Sequence, residues 1–247
     1  MSFSVDLNCD MGEGMANDAL IIPFTSSANI ACGFHAGDEH IMQQTIELAL
    51  QNNVAIGAHP SFPDKKNFGR TNMNFNAVEI CDMVKQQVEL LANIAVKNNC
   101  SLHHVKPHGA LYNMASRDET IATAICKAIK ETHPTLVLYA QSGNKLISIA
   151  ETLQIKTCSE VFADRTYQPD GSLTPRTAPN ALLQNEKNVA AQVLQMVKEN
   201  SVTTISGEKI PVKAGTICIH SDGDHAVEFA KLIYELLHSN NISIRTA

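Results

Sequence analysis

With 247 residues and 44% hydrophobic side chains, the chain is long enough for one α/β barrel or two smaller domains, and it can bury a sizeable core. A formal net charge of −6 without a basic cluster argues against nucleic-acid binding and gives no electrostatic reason to expect an acidic partner. No apolar run nears the roughly 20 residues that span a bilayer, Met1-Ser2-Phe3-Ser4-Val5 lacks a basic, hydrophobic leader pattern, and seven scattered cysteines without a C-x-x-C pair fit reduced thiols, so no membrane association and a cytoplasmic location are expected.

The first element is a strand from Ser4 to Asp10, in which Asp6, Asn8 and Asp10 alternate with Val5, Leu7 and Cys9. Successive strand side chains point to opposite faces, so three polar groups share one face while the apolar ones, Cys9 included, pack on the other. The turn Met11-Gly12-Glu13-Gly14 adds a carboxylate and suggests the mouth of a polar pocket. Asn29 and Gly33-Phe34-His35 end the next apolar stretch. A helix is expected over 38–52, with Met42, Ile46, Ala49 and Leu50 on one face, followed by a strand from Val54 to Ala58 that ends at His59. Residues 60–75 are too long and irregular for a plain connection and read as a pocket wall.

The clearest helical pattern covers 76–98, where Cys81, Val84, Val88, Leu91, Ala92 and Ala95 form an apolar stripe and Asn76 with Glu79 makes a capping box. His104, Lys106 and His108 alternate through the next strand, and Ser116 with Glu119 opens another helix. Leu136 to Ala140 reads as a buried strand, and in the one after it Glu160 and Asp164 alternate with Val161 and Ala163. Residues 165–184, with Pro169, Gly171, Pro175 and Pro179, form a second wall. Val202 to Val212 reads as a small hairpin turning near Ser206 and Gly207. The last strand, Thr216 to Ile219, closes with His220 and Asp222 before a helix over 225–238.

Strands alternating with helices imply parallel pairing through right-handed crossovers. An open doubly wound sheet gathers ligands at one switch point, whereas here nearly every strand delivers polar residues at its C-terminal end. The expectation is a single α/β barrel over 1–247 carrying two long loops and the hairpin.

Asp6, Asn8, Asp10 and Glu13 are suited to general-base work or hard-metal ligation, or to structural hydrogen bonds, with Asp10 at the strand end the better candidate. His35, His59 and His108 come from three strands and can converge as an acid/base pair or a metal site, or serve as hydrogen-bonded structural groups. Lys106 at the pocket mouth suits an oxyanion, and a buried salt bridge to a carboxylate is compatible with that. Arg70 and Arg165 can grip a substrate carboxylate with a bidentate fork. Cys9 and Cys32 read as buried thiols rather than nucleophiles.

Five blocks, Asp6-Leu-Asn-Cys-Asp-Met-Gly-Glu-Gly14, Ser27-Ala-Asn-Ile-Ala-Cys-Gly-Phe-His-Ala-Gly-Asp38, Gly57-Ala-His-Pro-Ser-Phe-Pro-Asp64, Val105-Lys-Pro-His-Gly-Ala-Leu-Tyr-Asn113 and Glu160-Val-Phe-Ala-Asp-Arg165, resemble the LamB/YcsF family in order along essentially the whole chain. The resemblance implies a seven-stranded, irregular TIM-like β/α barrel related to polysaccharide deacetylases and glycoside hydrolases. It implies a hydrolase acting on a cyclic amide C–N bond: 5-oxo-L-proline is opened to L-glutamate with ATP hydrolysis, alongside two further 5-oxoprolinase subunits, B and C. On that basis Lys106 and His108 are expected to stabilise developing charge, Asp10 with His59 to activate water, Asp164 to belong to the same catalytic group, and Arg165 to orient the substrate carboxylate. Asn8, Glu13, His35, Arg70, His220 and Asp222 are expected around the substrate.

Two alternatives stay open. One is a metal-dependent deacetylase or amidohydrolase, with Asp10, His35 and His59 holding a divalent ion such as Mg or Zn; the other is a non-catalytic, substrate-binding scaffold protein. The sequence departs from the family pattern at Thr71, where a second arginine is usual, and at Ser221, where glycine is.

Overall fold

The computed structural model describes residues 3–219 and 226–247. Ten strands are present among them: β1 (Phe3–Met11), β2 (Ser27–Ala31), β3 (Ala55–His59), β4 (His104–Val105), β5 (Val137–Gln141), β6 (Thr157–Phe162), β7 (Ser201–Thr203), β8 (Lys209–Pro211), β9 (Thr216–Ile219) and β10 (Ile242–Ile244). The helices are α1 (Asp18–Ile21), α2 (Glu39–Gln51), α3 (Ala77–Lys97), α4 (Gly109–Ala115), α5 (Glu119–Thr132), α6 (Lys145–Thr152), α7 (Glu186–Glu199) and α8 (Ala226–Ser239). Seven strands run parallel in the order β1-β2-β3-β4-β5-β6-β9, and β9 pairs back onto β1, which closes a TIM-like barrel. No helix among the described residues is long and apolar enough to cross a membrane.

β1 is the longest strand because it has three partners: β2 and β9 along its C-terminal half, and β10 beside Phe3 to Val5. β4 is short because Pro107 follows it and has no N–H to offer a ladder, although Lys106 N–H still reaches the Ala58 carbonyl at 2.9 Å. The helices coat the outside. Val5, Leu7, Cys9 and Met11 point outward from β1 into a core shared with Ile46, Val84, Leu91 and Ile125, and all of these are buried.

Most helix starts follow the sequence. Asp38 caps α2 by accepting from Ile41 N–H, and Asn76 with Glu79 forms the expected capping box on α3. One start differs from expectation: Asp118, not Ser116, caps α5, accepting from Thr120 and Ile121 N–H. Ser116 ends the preceding helix α4 instead, where its hydroxyl donates to the Asn113 carbonyl. β7 and β8 pair antiparallel as the small hairpin, with Gly207 at φ +84° in its turn.

Inside the barrel the side chains are polar, and they are ordered by register. Asp10 pairs with Asn29, Asn29 with Gly57, and Gly57 with His104. Because Gly57 has no side chain, the His104 ring lies across it and donates from Nε2 to the side-chain Oδ1 of Asn29 at 2.7 Å; a Cβ on Gly57 would stand 2.1 Å from that ring. The other Asn29 group, its amide, donates to Asn8 and Asp10. Asn8 in turn donates to the Thr216 hydroxyl, which donates to Asp6 Oδ2. Ser26 and Ser27 satisfy Asp6 Oδ1, so Asp6 is a structural acceptor at the base of the barrel; burial still pushes its carboxyl up.

Two outcomes follow from this interior. Gly57→Ala overpacks it, and the loss of stability in a chemical-denaturation curve should reach or exceed the upper end of the roughly 1–3 kcal/mol typical of overpacking. His104 is buried and held neutral, its pKa pushed well below the ordinary histidine value mainly by burial. The unfolded chain therefore binds this proton first as pH falls below about 6.5, and the native state loses up to about 1.4 kcal/mol per pH unit from this site. His104→Gln keeps a donor for Asn29 and should flatten the acid slope of stability by that amount.

Candidate active site

At the C-terminal rim of the barrel lies a cavity of about 730 Å³ whose lining includes Asp10, Glu13, His59, Lys106, His108 and Tyr112, together with Arg70, Arg117, Arg165 and Arg176. Both long loops supply walls: Phe68, Arg70 and Asn72 from residues 60–75, and Leu173 to Thr177 with Arg165 from residues 165–184.

Lys106 organises the floor. Its ammonium lies 2.7 Å from Glu160 Oε1 and 2.9 Å from Asp10 Oδ1, donates to Asn8 Oδ1 at 3.1 Å, and touches the Cys218 sulfur at 3.3 Å. Burial alone would strip its proton, but Asp10, Cys218 and Glu160 outweigh that and hold the ammonium pKa well above the usual lysine value. The reciprocal effect acts on Asp10. Burial pushes its carboxyl up, yet His59 and Lys106 pull it well below the usual carboxylate range. Tyr112 of α4 donates its hydroxyl to Glu160 Oε2 at 2.6 Å, which fixes the second carboxylate.

Beside this pair, three imidazoles surround Glu13. His35 Nε2 lies 3.0 Å, His108 Nδ1 3.5 Å and His59 Nε2 3.8 Å from Glu13 Oε1. His59 Nδ1–H donates to the Lys106 carbonyl at 2.7 Å, and His108 Nε2–H donates to the Phe68 carbonyl at 2.9 Å. Phe68 reaches that position through a left-handed backbone, φ +56°, followed by Gly69 at φ +66°; a Cβ on Gly69 would press within 2.9 Å of both His35 and His108. The rings of His35 and His108 stack at 3.9 Å and 6°.

Protonation follows from these surroundings. Burial and the neighbouring His59 lower His35 to about 3 and His108 to about 2, so both are neutral at neutral pH. His59 is pulled down by burial but raised by Asp10, whose Oδ2 is 3.4 Å away, and ends above the ordinary value. Glu13, His35, His59 and His108 together form a cluster, with one ligand atom from each inside 4.8 Å of the others, that is compatible with a divalent metal. His35 and His59 are the two residues of the expected metal set that it contains; Glu13 and His108 complete it, while Asp10 stands beside it bound to Lys106.

Of the remaining residues singled out from the sequence, Asn8 lies under the floor, and Arg70 sits 5.0 Å over the Phe68 ring. Arg165 is buried, and its Nη2 and Nε donate to the Thr174 and Ala181 carbonyls, bracing the second wall. Asp164 follows the end of β6 and is not among the residues lining the cavity. The carboxylate that β6 does deliver is Glu160, in strand register with Thr216. His220, Ser221 and Asp222 lie outside the described residues. Thr71 N–H donates to Asp64 Oδ2, so the residue that departs from the family pattern knits its own loop. Sequence reasoning does not single out Arg117 and Arg176, which sit in loops with no periodic signal, or Tyr112, which stands between the strand ending at His108 and the helix expected from Ser116.

Comparison with known proteins places this arrangement. A protein of Bacillus cereus named as the A-type component of 5-oxoprolinase is 52% identical over 249 residues, covering 98% of each chain. The crystal structure of a lactam utilization protein from Thermus thermophilus superposes with a TM-score of 0.93 at 36% identity, over 99% of this chain and 100% of that one. A T48 deacetylase solved with substrate reaches a TM-score of 0.52 at 11% identity, over 98% and 87% of the two chains, and shares the fold alone. The LamB/YcsF family model matches residues 5–247, and with full-length relatives of this similarity beside it, the chain belongs to the LamB/YcsF family.

Proposed function

We propose that this chain is the A-type component of an ATP-dependent 5-oxoprolinase, opening the lactam ring of 5-oxo-L-proline to L-glutamate together with two further subunits, B and C. The observation that carries the reading is the cavity itself: an ionised Asp10 held by Lys106 lies beside a histidine cluster, under a mouth lined by four arginines. A small carboxylate-bearing lactam that becomes phosphorylated is an anion with an electrophilic carbon, and such a cavity is complementary to both features. The names of the full-length relatives support the same assignment.

A lactam carbonyl is resonance-stabilised and resists water. Phosphoryl transfer from ATP to its oxygen leaves a carbon that water can attack; the C–N bond then breaks with a proton passing to nitrogen, and a second water releases phosphate from the acyl phosphate. In this reading Asp10 takes a proton from the attacking water, and the positive charge held between His59 and His108 faces the negative charge that develops on the substrate oxygen. Lys106 keeps Asp10 ionised and holds both Asp10 and Glu160 in place, while Arg70, Arg117 and Arg176 attract the carboxylate and phosphoryl groups. A divalent ion in the Glu13–histidine cluster would supply Lewis-acid polarisation at the same position.

The cluster also favours a second reading, nucleotide-independent amide hydrolysis by this chain alone. Mixing the purified chain with its two candidate partner proteins and assaying glutamate from 5-oxoproline, with each component and ATP omitted in turn, separates the two. Glutamate formation that needs ATP and all three components supports the first reading; full turnover by this chain without ATP supports the second and removes the first. In the assembled complex Asp10→Asn should lower kcat by roughly 10²–10⁴-fold with little change in KM, the range for a lost general base. Arg117→Ala and Arg176→Ala should instead raise KM for 5-oxoproline or ATP while leaving kcat nearer the parent value.

A further inference from the structure

We propose that Glu13, His35, His59 and His108 form a four-ligand site for one divalent transition-metal ion of the zinc class, with Asp10 outside the ligand set. The inference deepens the reading of the same cavity, yet it rests on hydrogen-bond geometry and does not require the lactam assignment.

The outer nitrogens of the three rings fix which atoms face inward. His59 Nδ1 and His108 Nε2 each meet a backbone carbonyl, which can only accept, so both must carry hydrogen there. Their inner atoms, His59 Nε2 and His108 Nδ1, then face each other with lone pairs at 2.9 Å. Only a proton or a cation can stand between them. His35 Nδ1 lies 2.8 Å from the Ser61 hydroxyl, which donates onward to the Phe62 carbonyl at 3.0 Å. That relay is complete when His35 donates to Ser61, and it leaves the His35 Nε2 lone pair 3.0 Å from a carboxylate oxygen of Glu13.

With the outer partners satisfied in this way, three nitrogen lone pairs and one carboxylate oxygen lie within 4.8 Å of one another, and the His35 ring, parallel to that of His108 at 3.9 Å, has to tilt for both lone pairs to reach one ion. Every histidine thus has the second partner that metal-binding imidazoles normally use to set tautomer and ring angle. The separations suit a small ion as well. Ligands about 2.0–2.1 Å from a tetrahedral zinc lie about 3.3 Å from one another; four of the separations here, 2.9, 3.0, 3.5 and 3.8 Å, straddle that edge, and every pair lies within 4.8 Å. Three imidazoles with one carboxylate select zinc, cobalt or a similar ion over magnesium or calcium, which favour all-oxygen shells.

Asp10 is excluded by its commitments. Its Oδ1 takes hydrogen bonds from Lys106 and Asn29, and that ammonium repels a cation placed next to it. Asp10 can still face the site from outside through Oδ2, 3.4 Å from His59.

The test uses the whole chain, stripped with a chelator and titrated separately with Co(II), Zn(II) and Mg(II), without nucleotide, lactam or partner proteins. Calorimetry should give one Co(II) or Zn(II) per chain with no competition from Mg(II), and bound Co(II) should show the intense visible bands of four-coordinate geometry. Glu13→Gln and His108→Gln should each weaken binding by at least about 100-fold, beyond the loss usual for an outer partner, whereas Asp10→Asn should keep the four-coordinate spectrum. A folded chain that takes up neither ion, a six-coordinate Co(II) spectrum, or a site abolished by Asp10→Asn and untouched by Glu13→Gln overturns the proposal. The wild-type spectrum decides the matter even if a ligand variant fails to fold. Because ion uptake is read without turnover, its failure and the failure of the lactam reading are separate results.

Discussion

The structure depends on one buried ammonium. Lys106 enters the barrel from the shortest strand and meets Asp10 of β1 and Glu160 of β6, two carboxylates from strands that do not pair with its own. Taking any one of these ions out of water costs several kcal/mol, and an isolated pair of carboxylates this deep would protonate instead of staying charged. With the lysine between them, Tyr112 donating to Glu160 Oε2 and Asn29 adding a second donor to Asp10 Oδ1, the ammonium and Asp10 keep their charge. Removing the ammonium would leave uncompensated buried acids, so this contact sets both the shape of the cavity floor and the charge of Asp10.

The polar interior below it explains why the charges stay put. Most barrels of this kind are filled by branched apolar side chains, whereas here the filling is a directional chain from His104 through Asn29, Asn8 and Thr216 to Asp6. Each member is oriented by the next, so the amide of Asn29 cannot flip without breaking bonds on both sides. A fully satisfied network of this sort is rigid, and a partly satisfied one is costly. The absence of a side chain at Gly57 is what lets the chain cross β3, and the cavity rim inherits its register from that crossing.

Much of this is legible in the alternation of β1, where Asp6, Asn8 and Asp10 share the inner face and Cys9 joins the outer core, and in the convergence of His35, His59 and His108 from separate strand ends. What escapes depends on where strands stop and on contacts between distant segments. β6 ends at Phe162, so the alternation that carries Glu160 inward does not extend to Asp164. Ser116 reads as a cap because Glu119 stands three residues on, but Asp118 is adjacent to the helix and is the stronger local acceptor. Glu13 occupies a turn, and nothing in its spacing distinguishes it from Asp10 as the carboxylate nearest the histidines. α7 carries Val189, Val193, Met196 and Val197 at helical spacing, diluted by the amide and charged residues between them.

The division of labour between strands and loops has a physical reason. Groups whose charge must be tuned by desolvation come from strand ends or the turns just after them, because only the barrel rim buries them on several sides and fixes them within a hydrogen bond of one another. Arginine stays ionised in any environment, so it needs no such burial to carry charge, and Arg70, Arg117 and Arg176 stand in irregular segments around the rim. Arg165 marks the boundary between the two: its guanidinium is buried and spends two donors on the Thr174 and Ala181 carbonyls, so it holds the second wall in shape beside the other arginines. The floor can therefore keep a fixed geometry while substitutions in the walls, such as threonine at position 71, change which charged groups line the cavity above it. Thr71 spends its N–H on Asp64 inside the loop, so this wall meets the cavity through Arg70 alone among the two positions where the family pattern carries arginines.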